Sequence, residues 1–167
     1  MTIKTVTVEI EQRAYDEIHR ALEEFGDYEI GGILIGYKKA ENHFAISEAT
    51  VANDSNGFNL ASFIREPFES MKVLLKIFKM RKHNYIGEWH SHPQFSLYPS
   101  DYDVKTMKGI LADPGYGVSF ALLIITKLVN GKLNMAGFLF HKKLFKFVKA
   151  SIYQNRNEER RGIDISV

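Results

Sequence analysis

The chain contains no cysteine. That excludes disulfides and every thiolate-held metal, and it leaves histidine and carboxylate side chains as the metal-binding groups. No apolar run approaches the length needed to cross a bilayer, and the opening Met1-Thr2-Ile3-Lys4-Thr5-Val6-Thr7 lacks the apolar stretch of a signal peptide. A cytoplasmic protein with no membrane partner is therefore expected. Charge of one sign is also missing: 22 Lys and Arg against 20 Asp and Glu leave a net +2. The basic residues are dispersed among acids apart from short pieces such as Lys79-Met80-Arg81-Lys82, so no nucleic-acid partner is expected. Repeats, linkers and low-complexity tracts are absent too. What remains is 167 residues, 45% hydrophobic and 25% charged, the size and composition of one globular domain with a core of its own.

Hydrophobic spacing divides the chain into elements. Val6, Val8 and Ile10 alternate with polar neighbours as in a half-buried strand, and Tyr15, Ile18, Leu22 and Phe25 form a helical stripe that Gly26-Asp27 breaks. Ile30 to Tyr37 and Phe44 to Val51 read as antiparallel strands joined across Lys38 to Asn42, with a polar loop at Asn53 to Gly57. Pro67 fits the first turn of a helix carrying Phe68, Met71, Leu74, Leu75 and Phe78. Tyr85 to His90 reads as a central strand, followed by a helix from Asp101 to Leu111. Val118 to Leu128 and Leu133 to His141 form a hairpin turning at Asn130-Gly131. Leu144 to Tyr153 suits a last strand, which makes residues 1–154 the domain and 155–167 a charged tail. The expected class is α+β, a mixed and mostly antiparallel sheet flanked by helices.

The densest chemistry lies in Gly87-Glu88-Trp89-His90-Ser91-His92-Pro93, followed by Ser100 and Asp103. Side chains alternate along a strand, so His90 and His92 leave the same face and can grip one ion. Asp103 completes a set of two nitrogens and one oxygen that suits a single Zn2+ and leaves a fourth position open, as a catalytic zinc requires. Hydrolysis of an amide needs in addition a carboxylate to move a proton and a donor for the developing oxyanion. Glu88 shares strand parity with the histidines and is one candidate base, or a group that holds a histidine from behind. Ser100 and Asp103 also spell Ser-x-x-Asp, a capping box for the helix that follows. Trp89 falls on the opposite face and is expected in the core. His19, His43, His83 and His141 have no metal spacing. Phe58, Leu60 and Phe63 suit one wall of a substrate groove, and Phe95 and Tyr98 an aromatic surface beside it.

His90-Ser91-His92-Pro93 with Ser100 and Asp103 resembles the signature of the JAMM/MPN metalloproteases, whose domain is cytidine-deaminase-like. Far upstream, Glu29-Ile30-Gly31-Gly32-Ile33-Leu34-Ile35-Gly36 resembles that family's glutamate-led, glycine-bearing strand. The resemblance implies that His90, His92 and Asp103 hold the zinc. It implies that Glu29 activates water and protonates the leaving amine, and that Ser100 steadies the tetrahedral intermediate. It also implies hydrolysis of an amide or isopeptide bond after the C-terminus of ubiquitin or a ubiquitin-like or otherwise conjugated protein. The short form, without long inserts or a C-terminal helical extension, looks like the stand-alone prokaryotic members. Several of those sit beside E1-like and E2-like partners in antiphage operons, including CBASS-type systems. Two other readings stand beside this one: a small-molecule amidase or sulfur-carrier-processing peptidase, and a noncatalytic MPN scaffold. The scaffold predicts loss of a ligand or of the glutamate, and all five positions are present.

Overall fold

The computed structural model describes residues 5–51 and 83–156. The helix expected after Pro67, the loop at Asn53 to Gly57, Phe58, Leu60 and Phe63, the Lys79 to Lys82 piece and the tail from residue 157 lie outside the described residues. Among those described, the order is β1 (Thr7–Glu11), α1 (Gln12–Phe25), β2 (Gly31–Ala40), β3 (His43–Ala49), β4 (Asn84–Ser91), α2 (Asp101–Ala112), β5 (Phe120–Val129), β6 (Lys132–His141) and β7 (Val148–Asn155). No described helix is long and apolar enough to cross a membrane.

The mixed α+β composition matches expectation, but the sheet is not open. The strands close into a barrel in the order β1-β3-β2-β4-β5-β6-β7. Closure comes from β1, which runs parallel to both β3 and β7 and so pairs on both of its edges. Local alternation specifies which side chains share a face; it carries no information on whether the two ends of a sheet meet. Antiparallel pairs join β2 to β3 and β4, and β6 to β5 and β7, while β4 and β5 run parallel. Asn130 and Gly131 turn the β5–β6 hairpin with φ of 50° and 74°, the left-handed pair that a two-residue loop between twisted strands favours.

Two cores result. The first takes apolar residues from every strand, Val8, Leu34, Ile46, Trp89, Leu122, Leu139 and Ala150 among them, and covers them with Ala14, Ile18, Ala21 and Leu22 of α1. The second packs Met107, Ile110 and Leu111 of α2 onto Leu123, Ile125 and Phe138. Because β5 feeds both cores, Ala121 to Ile125 are all buried, and the strand reads as a continuous apolar run rather than an alternating one.

A bulge in β4 shapes the site. Leu34 faces Gly87 but its neighbour Ile35 faces Tyr85, so β4 carries one extra residue at Ile86-Gly87. Gly87 there has φ +156°, and a Cβ on it would stand 2.0 Å from the Leu122 carbonyl oxygen. No side chain fits. The extra residue places Ile86 and Trp89 together in the first core and turns Tyr85 toward Glu88. Gly32 has a similar task, since a Cβ would lie 1.9 Å from the carbonyl of Thr50. That carbonyl accepts the Trp89 indole N–H at 2.8 Å.

At the β1–β7 seam Glu9 is buried and accepts from Lys39 Nζ at 2.6 Å, from the Tyr153 hydroxyl at 2.9 Å and from the Asn155 amide. Burial opposes its ionisation, but Lys39, Asn155 and Tyr153 together hold its pKa below the usual carboxylate value. A depressed folded pKa adds stability that is fully present above the unfolded value of 4.5 and is lost as pH falls through the folded value. Glu9→Gln should therefore melt at a lower temperature than wild type at about pH 7, and the gap should narrow on acidification. Thermal scans across pH check this; a gap that stays constant would exclude the linkage.

Candidate metal centre

His90 and His92 project from the end of β4 and the residue after it, and both are buried. Their Nε2 atoms approach to 2.9 Å. The carboxylate of Asp103, in the first turn of α2, lies 3.4 Å from His90 Nε2 through Oδ1 and 3.7 Å from His92 Nε2 through Oδ2. A tetrahedral zinc with ligands about 2.05 Å away separates those ligands by about 3.3 Å. The His90–His92 and His90–Asp103 Oδ1 distances bracket that figure, and Asp103 meets His92 through its other oxygen, so two imidazoles and a carboxylate lie close enough to share one ion. Glu29, exposed just before β2, brings a carboxylate oxygen and the two imidazoles to within 4.8 Å of one another.

Local structure explains why these groups converge. Ser100 caps α2: its hydroxyl accepts from Asp103 N at 3.1 Å and donates to Asp103 Oδ2 at 2.7 Å, and its backbone N–H donates to the same oxygen at 2.8 Å. The capping box thereby aims Asp103 at the histidines. Burial works against the Asp103 charge, yet the His90 imidazole and the Ser100 donors bring its pKa down to about 2. Anionic Asp103 is what a divalent cation needs. His92 Nδ1 lies 2.8 Å from the Ser96 carbonyl. Donation there leaves Nε2 with its lone pair directed at the centre.

Ser91 was not singled out from the sequence. Its hydroxyl accepts from Ile30 N at 3.0 Å and donates to Tyr28 O at 3.2 Å, while its backbone N–H donates to Ile30 O at 2.7 Å. These three bonds clamp both neighbours of Glu29, so Ser91 sets where that carboxylate stands. Strand alternation was the available signal: between two histidines on one face, Ser91 had to serve the other. Thr126 of β5 adds its carbonyl to His92 N at 2.9 Å and its hydroxyl to His90 O.

Glu88 shares strand parity with the two histidines but is fully buried, and Tyr85 donates to its Oε1 at 2.8 Å. Burial pushes its pKa up to about 8 against that bond, and the neighbouring Tyr116 is raised to about 12 by burial, Glu88 and Asp113. Trp89 is in the core, as expected. His19 meets the Gly131 carbonyl, His43 the Tyr153 hydroxyl, His83 the Ser47 hydroxyl, and His141 accepts from Lys143 N. Phe95 is exposed and sits edge-on to His92, with Tyr98, Tyr102 and Tyr28 also exposed.

Residues 11–137 match the family of prokaryotic homologues of the JAB domain. The chain belongs to this family. The JAB-domain chain is similar to the CD-NTase/cGAS isopeptidase of Enterobacter hormaechei subsp. hoffmannii (strain UCI 50), with 34% identity over 101 residues that cover 60% of this chain and 56% of that protein. It thus spans little more than half the length of that relative. In fold it is similar to the solution structure of protein DSY2949 from Desulfitobacterium hafniense, at a TM-score of 0.65 and 18% identity over 93% of this chain and 97% of that one.

Proposed function

We propose that this chain is a zinc-dependent isopeptidase that cuts an amide bond following the C-terminus of a ubiquitin-like or otherwise conjugated protein. The observation that carries the reading is the convergence of His90, His92 and Asp103 at distances suited to one ion, with Glu29 beside them. His90, His92 and Asp103 hold a single Zn2+, which when bound supplies a Lewis acid that polarises a carbonyl and lowers the pKa of water. Glu29 is exposed, so substrate and water reach it; it takes a proton from the attacking water and returns it to the leaving amine as the C–N bond breaks. Ser100 orients Asp103 in the resting site, and its hydroxyl is placed to turn toward an oxyanion during reaction. The exposed Phe95, Tyr98, Tyr102 and Tyr28 suit contact with a protein tail lying across the mouth.

Family membership and the similarity to a protein named a CD-NTase/cGAS isopeptidase support a conjugated-protein substrate, with a CD-NTase-type protein as the first to try. The setting that goes with it is a cytoplasmic conjugation or antiphage system with E1-like and E2-like partners. The test is a fusion of a ubiquitin-like protein, through its C-terminus, to a reporter and to a CD-NTase-type protein. Cleavage at the junction should stop on chelation and return with zinc. Cleavage of small acylated amines alone would favour the amidase reading, and zinc binding with no cleavage of either the scaffold.

A further inference from the structure

The overall charge of +2 conceals a local imbalance. Residues 114–157 hold six Lys, one Arg and no Asp or Glu. Part of this stretch, the connection from His141 to Phe147 between β6 and β7, faces the later turns of α2 across an open cleft of about 420 Å³. Its floor is Leu111, Phe140 and Phe147 of the second core, with the half-buried Leu144. Exposed lysines stand on both walls, Lys108 on α2 and Lys142 and Lys146 on the connection. Among the described residues none of these three pairs with a carboxylate. Asp113, the last carboxylate before the acid-free stretch, accepts from Gly115 N at 2.7 Å and does not line the cleft. His141, also on the wall, has its pKa held below the usual value by burial and by Lys143 and Lys38.

We propose that this cleft docks an acidic segment of a partner protein. One aliphatic or aromatic side chain of the segment lies on the floor, and carboxylates beside it meet Lys108, Lys142 and Lys146. Phe145, on the cleft wall, is 86% exposed. Together with the floor it forms an apolar patch rimmed by charge, the pattern of a protein contact surface. Like charges without counter-charges draw acidic partners and repel basic ones. Nucleic acid suits the cleft less well, because bases need open aromatic faces to stack on. Lys108 Nζ stands over the Phe145 ring, 5.7 Å from its centre, and Phe140 and Phe147 are engaged with each other at 5.1 Å. A bilayer would be met by a protruding apolar face, and here the apolar groups line a concavity. The cleft is separate from the metal centre. Lys108 and Leu111 follow Asp103 on α2 by five and eight residues, about 8 and 12 Å along the axis.

The probe is a hexapeptide, Asp-Glu-Leu-Phe-Glu-Asp, titrated into the full-length nitrogen-labelled chain and followed by NMR. Signals of Leu111, Lys142 and Phe147 should shift, with half-saturation below about 1 mM at low salt, and binding should weaken as salt is added. Chelation should leave it unchanged, so loss of the zinc reading would not alter this outcome. Lys142→Glu combined with Lys146→Glu should weaken binding about tenfold. Phe145→Ala, which removes no charge, should weaken it about fivefold. All three positions are exposed, so the variants should fold, and far-ultraviolet dichroism checks that they do. Should the lysine variant not fold, Phe145→Ala and a peptide with Ser in place of Leu and Phe carry the comparison. No shift at the cleft at about 1 mM peptide, or equal affinity in wild type and the variants, would overturn the proposal. Tighter binding of single-stranded oligonucleotide or of phosphatidylserine vesicles at this face would overturn it too, in favour of those occupants.

Discussion

A chain carrying His90→Ala and His92→Ala should contain no zinc where the wild type holds about one ion per chain. Removing both nitrogens leaves Asp103 and Glu29, two oxygen donors that cannot close a tetrahedral site around zinc by themselves. Both imidazoles are buried and face each other at 2.9 Å, so their truncation opens space at the centre rather than in either apolar core. The variant should therefore keep its fold, which far-ultraviolet dichroism would report. Elemental analysis of both proteins checks the metal. A second readout is thermal: zinc at a thousandfold excess over its Kd should stabilise the wild type by about 4 kcal/mol and the double variant not at all. Zinc at wild-type stoichiometry in the variant would remove the ligand assignment.

Glu29→Gln is expected to bind zinc and substrate yet lose turnover by about 10²- to 10⁴-fold, the usual worth of a positioned proton carrier. Glutamine matches the size and shape of the glutamate but cannot take up the proton. Because the Glu29 carboxylate lies within 4.8 Å of the His90 and His92 nitrogens, zinc content decides between two roles. Unchanged zinc with lost turnover identifies a base. Lost zinc identifies a ligand, and full turnover would exclude both. The pairing of Ser91 with Tyr28 O and Ile30 N gives the reason this carboxylate stands where it does.

Most of the elements were legible because each rests on a local signal. Tyr15, Ile18, Leu22 and Phe25 mark α1, which runs from Gln12 to Phe25. Ser100 and Asp103 announced a capping box, and both of its hydrogen bonds form. Asn130-Gly131 marked the hairpin turn. The last strand was less legible: apolar residues begin at Leu144, but β7 starts only at Val148. Leu144 instead turns the chain by donating its N–H to the His141 carbonyl.

The bulge in β4 escaped strand alternation altogether. Simple parity puts Tyr85 on the Trp89 side, and the extra residue at Ile86-Gly87 moves it to the Glu88 side. The glycine was visible in the sequence, but the reason for it is the Leu122 carbonyl of a neighbouring strand. Such a contact is made between residues distant in the chain and leaves no periodic trace in either segment.

By itself, then, the amino-acid sequence determined the order of the described elements, the shared face of His90 and His92, and the presence of Asp103 at the start of a helix, because these follow from side-chain period and capping over a few residues. Only the tertiary structure decided that the sheet closes through β1, that Ser91 holds the Glu29 segment, and that Glu88 is buried with one oxygen bound by Tyr85 and the other free. Each of those depends on which strands lie side by side, and strand pairing is set by the packing of the whole core rather than by any one stretch of chain.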